Sequence, residues 1–311
     1  MAVPSRTAAP APPVTTPPEV VRAVKLLDLR AKRLVAGQFG GAYQAVFKGH
    51  GIEFAELREY QPGDEVRTID WKVTARMRRP HVRRYVEERE LSVLVILDVS
   101  GSAWFGTTRQ LKGEVAAELA AAIVLTAARQ NDRVGVLAVT DRLELVRPPR
   151  KGRRHALATA RDVLAWQVGP GDARRSTLLM PAADACAAAL PQRGVIFVIS
   201  DFDAPDAERT MRRLALKHEV IAVPVEDPAE FELPDVGVAR LADPETGAGI
   251  EVDTSDPAVR GIFARRARAA REGRDKMLRA AGADVVVVGT DTGFVDPMLR
   301  YLRGRQRGGR A

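Results

Sequence analysis

Residues 91–102 read LSVLVILDVSGS, and this stretch decides the fold. A mostly apolar run with β-branched Val93, Val95 and Ile96, from Leu91 to Leu97, leads into Asp98. A run this short and free of charge suits a strand buried on both faces of a parallel sheet. Asp98 is followed on alternate positions by Ser100 and Ser102. A carboxylate and two hydroxyls just past a buried strand put three oxygen donors on one loop, the chemistry that hard divalent cations take.

Outward from this stretch, apolar runs of strand length alternate with segments of helical spacing. The pattern predicts strands at 92–98, 134–139, 143–147, 194–200, 219–225 and 284–289. It predicts helices at 108–129, 154–166, 178–190, 205–217 and 256–281. Such alternation argues for an α/β fold, an open, mostly parallel sheet with helices on both faces. Ligands of such sheets sit beyond the carboxyl ends of the strands. Asp98 ends one predicted strand, and Asp201, in GVIFVISDFD, follows another. Residues 228–255 are irregular and read as a hairpin insertion.

Upstream, residues 1–19 are rich in proline and alanine and read as a disordered tail. Residues 20–36 have helical spacing that Gly37 would end. Residues 37–90 carry short alternating pieces, VFKG, IEFAEL and HVRRYVEE, and read as a small β-rich subdomain of strands joined by turns. Pro62-Gly63-Asp64 reads as one of those turns. The main domain then spans 91–300, and 301–311 reads as a basic tail.

Composition removes several function classes. Cys186 is the one cysteine of the chain, so neither an internal disulfide nor a cysteine-based zinc site is available. Its alanine-rich surroundings, ADACAAAL, place it in a helix. The four histidines, His50, His81, His155 and His218, are scattered without metal-ligand spacing. No secretory signal or membrane-length apolar run is visible, so the cytoplasm is the expected location. Net charge is +8. Residues 260–311 hold thirteen Lys or Arg against five Asp or Glu, so the excess lies there. No aromatics alternate with those arginines, which disfavours a base-stacking platform and makes nucleic acid an unlikely partner.

The loop at Asp98, D-x-S-x-S, resembles the metal-ion-dependent adhesion site of von Willebrand factor A domains. The resemblance implies two further ligands, a threonine from a second loop and an aspartate after a later strand. Thr177, at the start of a helix in RRSTLLMPAADACAAAL, and Asp201 stand in those positions; Ser176 replaces the usual preceding glycine. The implied ion is Mg²⁺ or Mn²⁺. Read singly, Ser100, Ser102, Thr177 and Asp201 are equally ordinary helix caps.

A second resemblance covers roughly residues 35–300. The segments GHGIEFAELREYQPGDEVRTIDWKVTAR, RPHVRRYVEERE and LDVSGSAWFG are similar to the bacterial family catalogued as domain of unknown function 58. Its signature runs from Glu56 to Arg76. Ala103 stands where typical members have methionine, and the N-terminal transmembrane helices of many members are not seen. The resemblance implies a von Willebrand factor A-like protein working beside a MoxR-type AAA+ ATPase to assemble or remodel other proteins, with no established catalysis. A protein client would offer an acidic residue to the metal.

Within the signature, Arg58, Arg67 and Arg76 lie among Glu56, Glu59, Asp64, Glu65 and Asp70. Two-point arginine–carboxylate bonds would clamp the segment on the main domain. Alternatively, Arg58, Tyr60, Arg67, Asp70, Trp71 and Arg76 form a partner-docking surface, because aromatics and arginine dominate binding hot spots. An enzymatic alternative is an aspartate-nucleophile phosphatase built on Asp98. Such enzymes need a second acid two residues on, where this chain has Ser100. A nucleic-acid alternative would use the basic C-terminal region.

Overall fold

The computed structural model describes residues 42–43, 46–47, 56–61, 64, 69–84, 90–165, 176–242 and 248–308. The tail read at 1–19 and the helix read at 20–36 lie outside these residues, as do Pro62 and Gly63 of the expected turn. The ends of that turn are hydrogen-bonded: Asp64 N–H donates to the Gln61 carbonyl at 3.0 Å, and Gln61 N–H to the Asp64 carboxylate at 2.9 Å.

Strand β3 (Ser92–Asp98) is at the centre of the main sheet, buried from Val93 onward. It pairs in parallel with β4 (Arg133–Val139) on one side and β6 (Val195–Ser200) on the other. Beyond β6 runs β7 (Glu219–Glu226), also parallel, then β10 (Asp284–Val285), with β11 (Val288–Gly289) pairing further along β7. On the far side β4 turns back into β5 (Leu143–Arg150), the antiparallel edge. The order is β10-β7-β6-β3-β4-β5. The single strand expected over 284–289 is thus two short ones.

The residues of β3 alternate between two cores, as a two-residue period requires. Val93, Val95 and Leu97 pack with helices α2 (Lys112–Arg129) and α3 (Arg153–Ala165), together with Tyr43. Leu94 and Ile96 pack with α4 (Met180–Ala189), α5 (Ala207–Ala215) and Leu278 of α6 (Pro257–Ala280). Helices therefore cover both faces, and both faces of β3 are dry, which is why its sequence is apolar from Val93 to Leu97. Cys186 is buried in α4, within the second core.

Two expectations need correction. Residues 37–90 are not only strands and turns. β1 (Glu56–Glu59) and β2 (His81–Arg84) do pair antiparallel, but Trp71–Met77 between them is helix α1. The Asp70 carboxylate accepts the Lys72 and Val73 N–H groups at 3.0 and 3.3 Å and so starts this helix. No residue of α1 is buried, so it left no apolar stripe to read.

The expected arginine clamp falls largely outside the described residues. Arg67 and the Arg58 side chain lie outside the described residues. Glu59 pairs with Arg79 at 3.1 Å, while Asp64 and Asp70 bind turn and cap N–H groups. The second correction concerns 301–311, which is not a separate tail. Helix α7 (Val295–Gly308) runs through most of it; Met298 and Leu302 enter the first core, and Arg305 pairs with Glu219 and Asp284. Positions 298, 302 and 305 fall on one helical face.

Residues 228–255 do form a hairpin, β8 (Val238–Ala242) with β9 (Gly249–Asp253). Among the described residues no helix is long and apolar enough to cross a membrane.

Candidate functional site

Parallel register brings the ends of β3 and β6 together. Leu97 stands opposite Ile199, so Asp98 and Ser200 are the next residues on neighbouring strands. The Ser200 hydroxyl donates to Asp98 Oδ2 at 2.6 Å, and Ser100 N–H donates to Asp98 Oδ1 at 2.9 Å. The Ser100 and Ser102 hydroxyls are 3.1 Å apart. Phe202 N–H donates to Ser200 Oγ at 3.0 Å. Phe202 has φ 63°, in the left-handed region that a bulky residue enters only under constraint, and its ring is buried in the second core. This turn carries Asp201 out over the end of β6.

Asp98, Ser102, Ser200 and Asp201 line a small open cleft with Lys112, from the first turn of α2. Lys112 Nζ donates to Asp201 Oδ2 at 3.2 Å and to Glu230 Oε1 at 2.7 Å, with 4% of its side chain exposed. Thr177 is also buried and lies along the same sheet edge. Leu178 N–H donates at 3.0 Å to the Thr140 carbonyl, and Thr140 follows Val139, the register partner of Asp98. Thr177 does not line the cleft. The structure therefore brings four of the five expected ligands, Asp98, Ser100, Ser102 and Asp201, into one contiguous cluster and sets Thr177 to its β4 side.

Helix capping does not account for these residues. Ser100 precedes a 3-10 turn, Gly101–Trp104, but its side chain makes no cap hydrogen bond. The cap position of α2 is Leu111 and that of α4 is Leu179. The first N–H groups of α4 are satisfied by Asp206, whose carboxylate accepts Leu179 N–H at 3.1 Å and Met180 N–H at 2.7 Å.

Two polar neighbours of the cluster were missed by sequence reading. Lys112 carried one weak signal, a cation at the positive end of a helix dipole, where carboxylates are the favoured residues. Asp227 carried none. It is fully buried at the end of β7, accepts Thr107 N–H at 2.9 Å and Thr107 Oγ1 at 2.5 Å, and accepts Thr290 Oγ1 at 2.7 Å. It thereby ties the loop that follows the serines to the next strand but one.

Burial pushes the Asp98 carboxyl up to about 6, and the nearby Asp201 charge adds to this against the pull of the Ser200 and Ser100 hydrogen bonds. Burial also raises Asp201, but the Lys112 ammonium, the Ser102 hydroxyl and the Asp203 N–H outweigh it and hold Asp201 below the ordinary carboxylate range. The cluster therefore sets a carboxyl pushed up to about 6 beside one held below the ordinary carboxylate range.

The sign for Asp98 follows from linkage. Its folded value lies above its unfolded one, so the folded state favours the proton, and that contribution is complete below about pH 4 and lost as pH rises through about 6. In chelator, wild type should lose stability relative to Asp98→Asn by on the order of 1–3 kcal/mol between about pH 4 and about pH 8. Urea unfolding of both proteins at the two pH values checks this, and a difference that does not change with pH would refute it.

A buried carboxylate with two hydroxyls is a hard-oxygen donor set that fits Mg²⁺ or Mn²⁺ in type. The competing feature is local: Asp201 Oδ2 already holds an ammonium. Among the described residues there is no group of three or more His, Cys, Asp or Glu placed to hold a metal, so hydroxyls must supply part of any shell.

The docking residues of the signature are dispersed. Trp71 is 67% exposed at the start of α1, Arg76 is exposed in its last turn, and Tyr60 is half-buried beside β1. Part of the basic C-terminal region is paired within the chain. Arg260 pairs with Asp235, Arg271 and Arg274 with Glu226, and Arg305 with Glu219.

The family described as "Protein of unknown function DUF58" matches residues 56–273. "Uncharacterized protein Rv1480" of Mycobacterium tuberculosis (strain ATCC 25618 / H37Rv) is 36% identical over 309 residues, covering 96% of each chain. Among solved structures, the conserved hypothetical protein BatB from Bacteroides thetaiotaomicron is similar with TM-score 0.45 and 16% identity, over 70% of this chain and 98% of that one. A von Willebrand factor type A protein from Catenulispora acidiphila is similar with TM-score 0.36 and 13% identity, over 70% of this chain and 42% of that one.

Proposed function

Because this chain belongs to the family described as protein of unknown function DUF58, on a von Willebrand factor A-like fold, we propose that it is a non-enzymatic protein-interaction module that binds partners through a divalent cation. The observation that carries this reading is the convergence of Asp98, Ser100, Ser102 and Asp201 at the carboxyl edge of the sheet. These four residues would hold Mg²⁺ or Mn²⁺, with Thr177 approaching from the β4 side. Neutral hydroxyls in the shell leave a bound ion with residual positive charge, which a partner's Asp or Glu satisfies by replacing a water. Asp98 orients the loop through Ser100 N–H, and Ser200 orients Asp98.

The proposed partners are a MoxR-type AAA+ ATPase, which the family resemblance implies, and a client that offers the acidic residue. Exposed Trp71 and Arg76 support α1 as the docking surface for the ATPase. The cytoplasm remains the proposed location. A phosphatase is disfavoured because Ser100 stands where the second acid belongs, and a hydroxyl does not serve as acid and base near neutral pH. Pairing of Arg260, Arg271, Arg274 and Arg305 disfavours a nucleic-acid surface.

Melting of wild type and Asp98→Ala in EDTA, Mg²⁺ and Mn²⁺ tests the proposal. An ion at about a hundred times its dissociation constant adds about 2.7 kcal/mol, a rise of roughly 5–10 °C for a domain of this size. That rise should be present in wild type and absent in Asp98→Ala. A wild type that melts alike with ion and with EDTA would sink metal dependence.

A further inference from the structure

Lys112 is the group in the cleft that the proposed function leaves unexplained. Its position is costly twice over. An ammonium in the first turn of α2 faces the positive end of the helix dipole, and burial strips it of water. The surroundings offset both costs with two carboxylates, Asp201 at 3.2 Å and Glu230 at 2.7 Å. An apolar residue would satisfy the packing of α2 without either.

The two partners differ in a way that matters. Asp201 belongs to the proposed metal shell, and while Oδ2 binds Lys112 that oxygen is not free for an ion. Glu230 does not belong to it. Glu230 is about a third exposed, and its other oxygen accepts Asp227 N–H at 2.8 Å, so it is a fixed second seat for the ammonium just outside the cleft.

We propose that the Lys112 ammonium is the resident cation of this cleft, and that a divalent ion binds only by displacing it from Asp201 onto Glu230, so that Lys112 sets the metal affinity of the site. The ammonium and the ion compete for one carboxylate, and any ammonium left in the cleft repels the ion. A partner carboxylate arriving at the ion adds negative charge and favours the displaced arrangement. Metal and partner therefore strengthen each other's binding. The inference rests on the metal-dependent reading above.

The test is calorimetric titration of chelator-stripped full chain with MnCl₂ and, separately, MgCl₂, comparing wild type, Lys112→Met and Glu230→Gln, each checked for folding by circular dichroism. Methionine keeps an unbranched side chain, one atom shorter, and removes the charge. Lys112→Met should bind at least about tenfold more tightly than wild type. Glu230→Gln keeps the ammonium, removes the charge of its second seat, and should bind about threefold more weakly or worse.

Wild type without detectable binding beside a Lys112→Met protein that binds would support the inference, and would end metal dependence for the natural chain. Wild-type binding that Lys112→Met leaves unchanged or weakens would overturn the inference and leave the metal reading intact. If Lys112→Met does not fold, Glu230→Gln decides, and affinity equal to or above wild type overturns the inference. No binding in any folded variant overturns both.

Discussion

Alanine at position 197 should lower the unfolding free energy by about 3–5 kcal/mol. Phe197 is 1% exposed in β6, between β3 and β7 in the middle of the main sheet. Its ring packs in the first core and meets Phe47 edge-on, with centroids 6.1 Å apart. Paired strands on both sides prevent β6 from shifting to fill the gap, so the cavity persists and its cost adds to the lost burial. The same strand carries Ser200 and leads into Asp201, so the loss should loosen the oxygen-donor cluster at its end as well as the core. Urea unfolding measures the effect as a shifted midpoint at unchanged slope. A loss below about 1 kcal/mol would mean that the core repacks around position 197.

Asp227→Ala should cost about 3 kcal/mol or more, although no apolar surface is lost. The carboxylate is buried and accepts Thr107 N–H, Thr107 Oγ1, Thr290 Oγ1 and Ala229 N–H. Its removal leaves several donors without a partner in a dry place, which costs more than the net strength of the bonds themselves. Burial raises this carboxyl, but the Thr107 and Thr290 hydrogen bonds outweigh it and hold the group below its ordinary range.

A folded value below the unfolded one contributes stability above about pH 4, and that contribution is lost as pH falls through the folded value. The gap between wild type and Asp227→Ala should therefore be full at pH 7 and narrow in acid. Unfolding at both pH values checks the sign. A gap that widens in acid would contradict the assignment.

Sequence alone carried the frame of the α/β domain because the frame is periodic. Buried parallel strands must be apolar at every position and surface helices must be apolar on one side, so Val93–Leu97 and Val195–Ile199 announced themselves. The spacing of Asp98, Ser100 and Ser102 was local, and so was the position of Asp201 at the end of a strand. Their meeting required only that β3 and β6 be parallel neighbours, which they are.

Local patterning was not enough elsewhere. Helix α1 buries none of its residues and is held by the Asp70 cap, so no stripe marked it. The end of α7 looked like a basic tail because Arg305 finds Glu219 eighty-six residues away.

The site divides the same way. Its oxygen donors were legible as residue types at fixed spacing. Its charge balance was not, because Lys112 meets Asp201 across 89 residues and Glu230 across 118, and Asp227 meets Thr107 across 120. Such pairs follow no sequence period. They exist because the sheet brings the ends of β3, β6 and β7 to one edge, and only there does a cation at the head of α2 find the carboxylates that hold it.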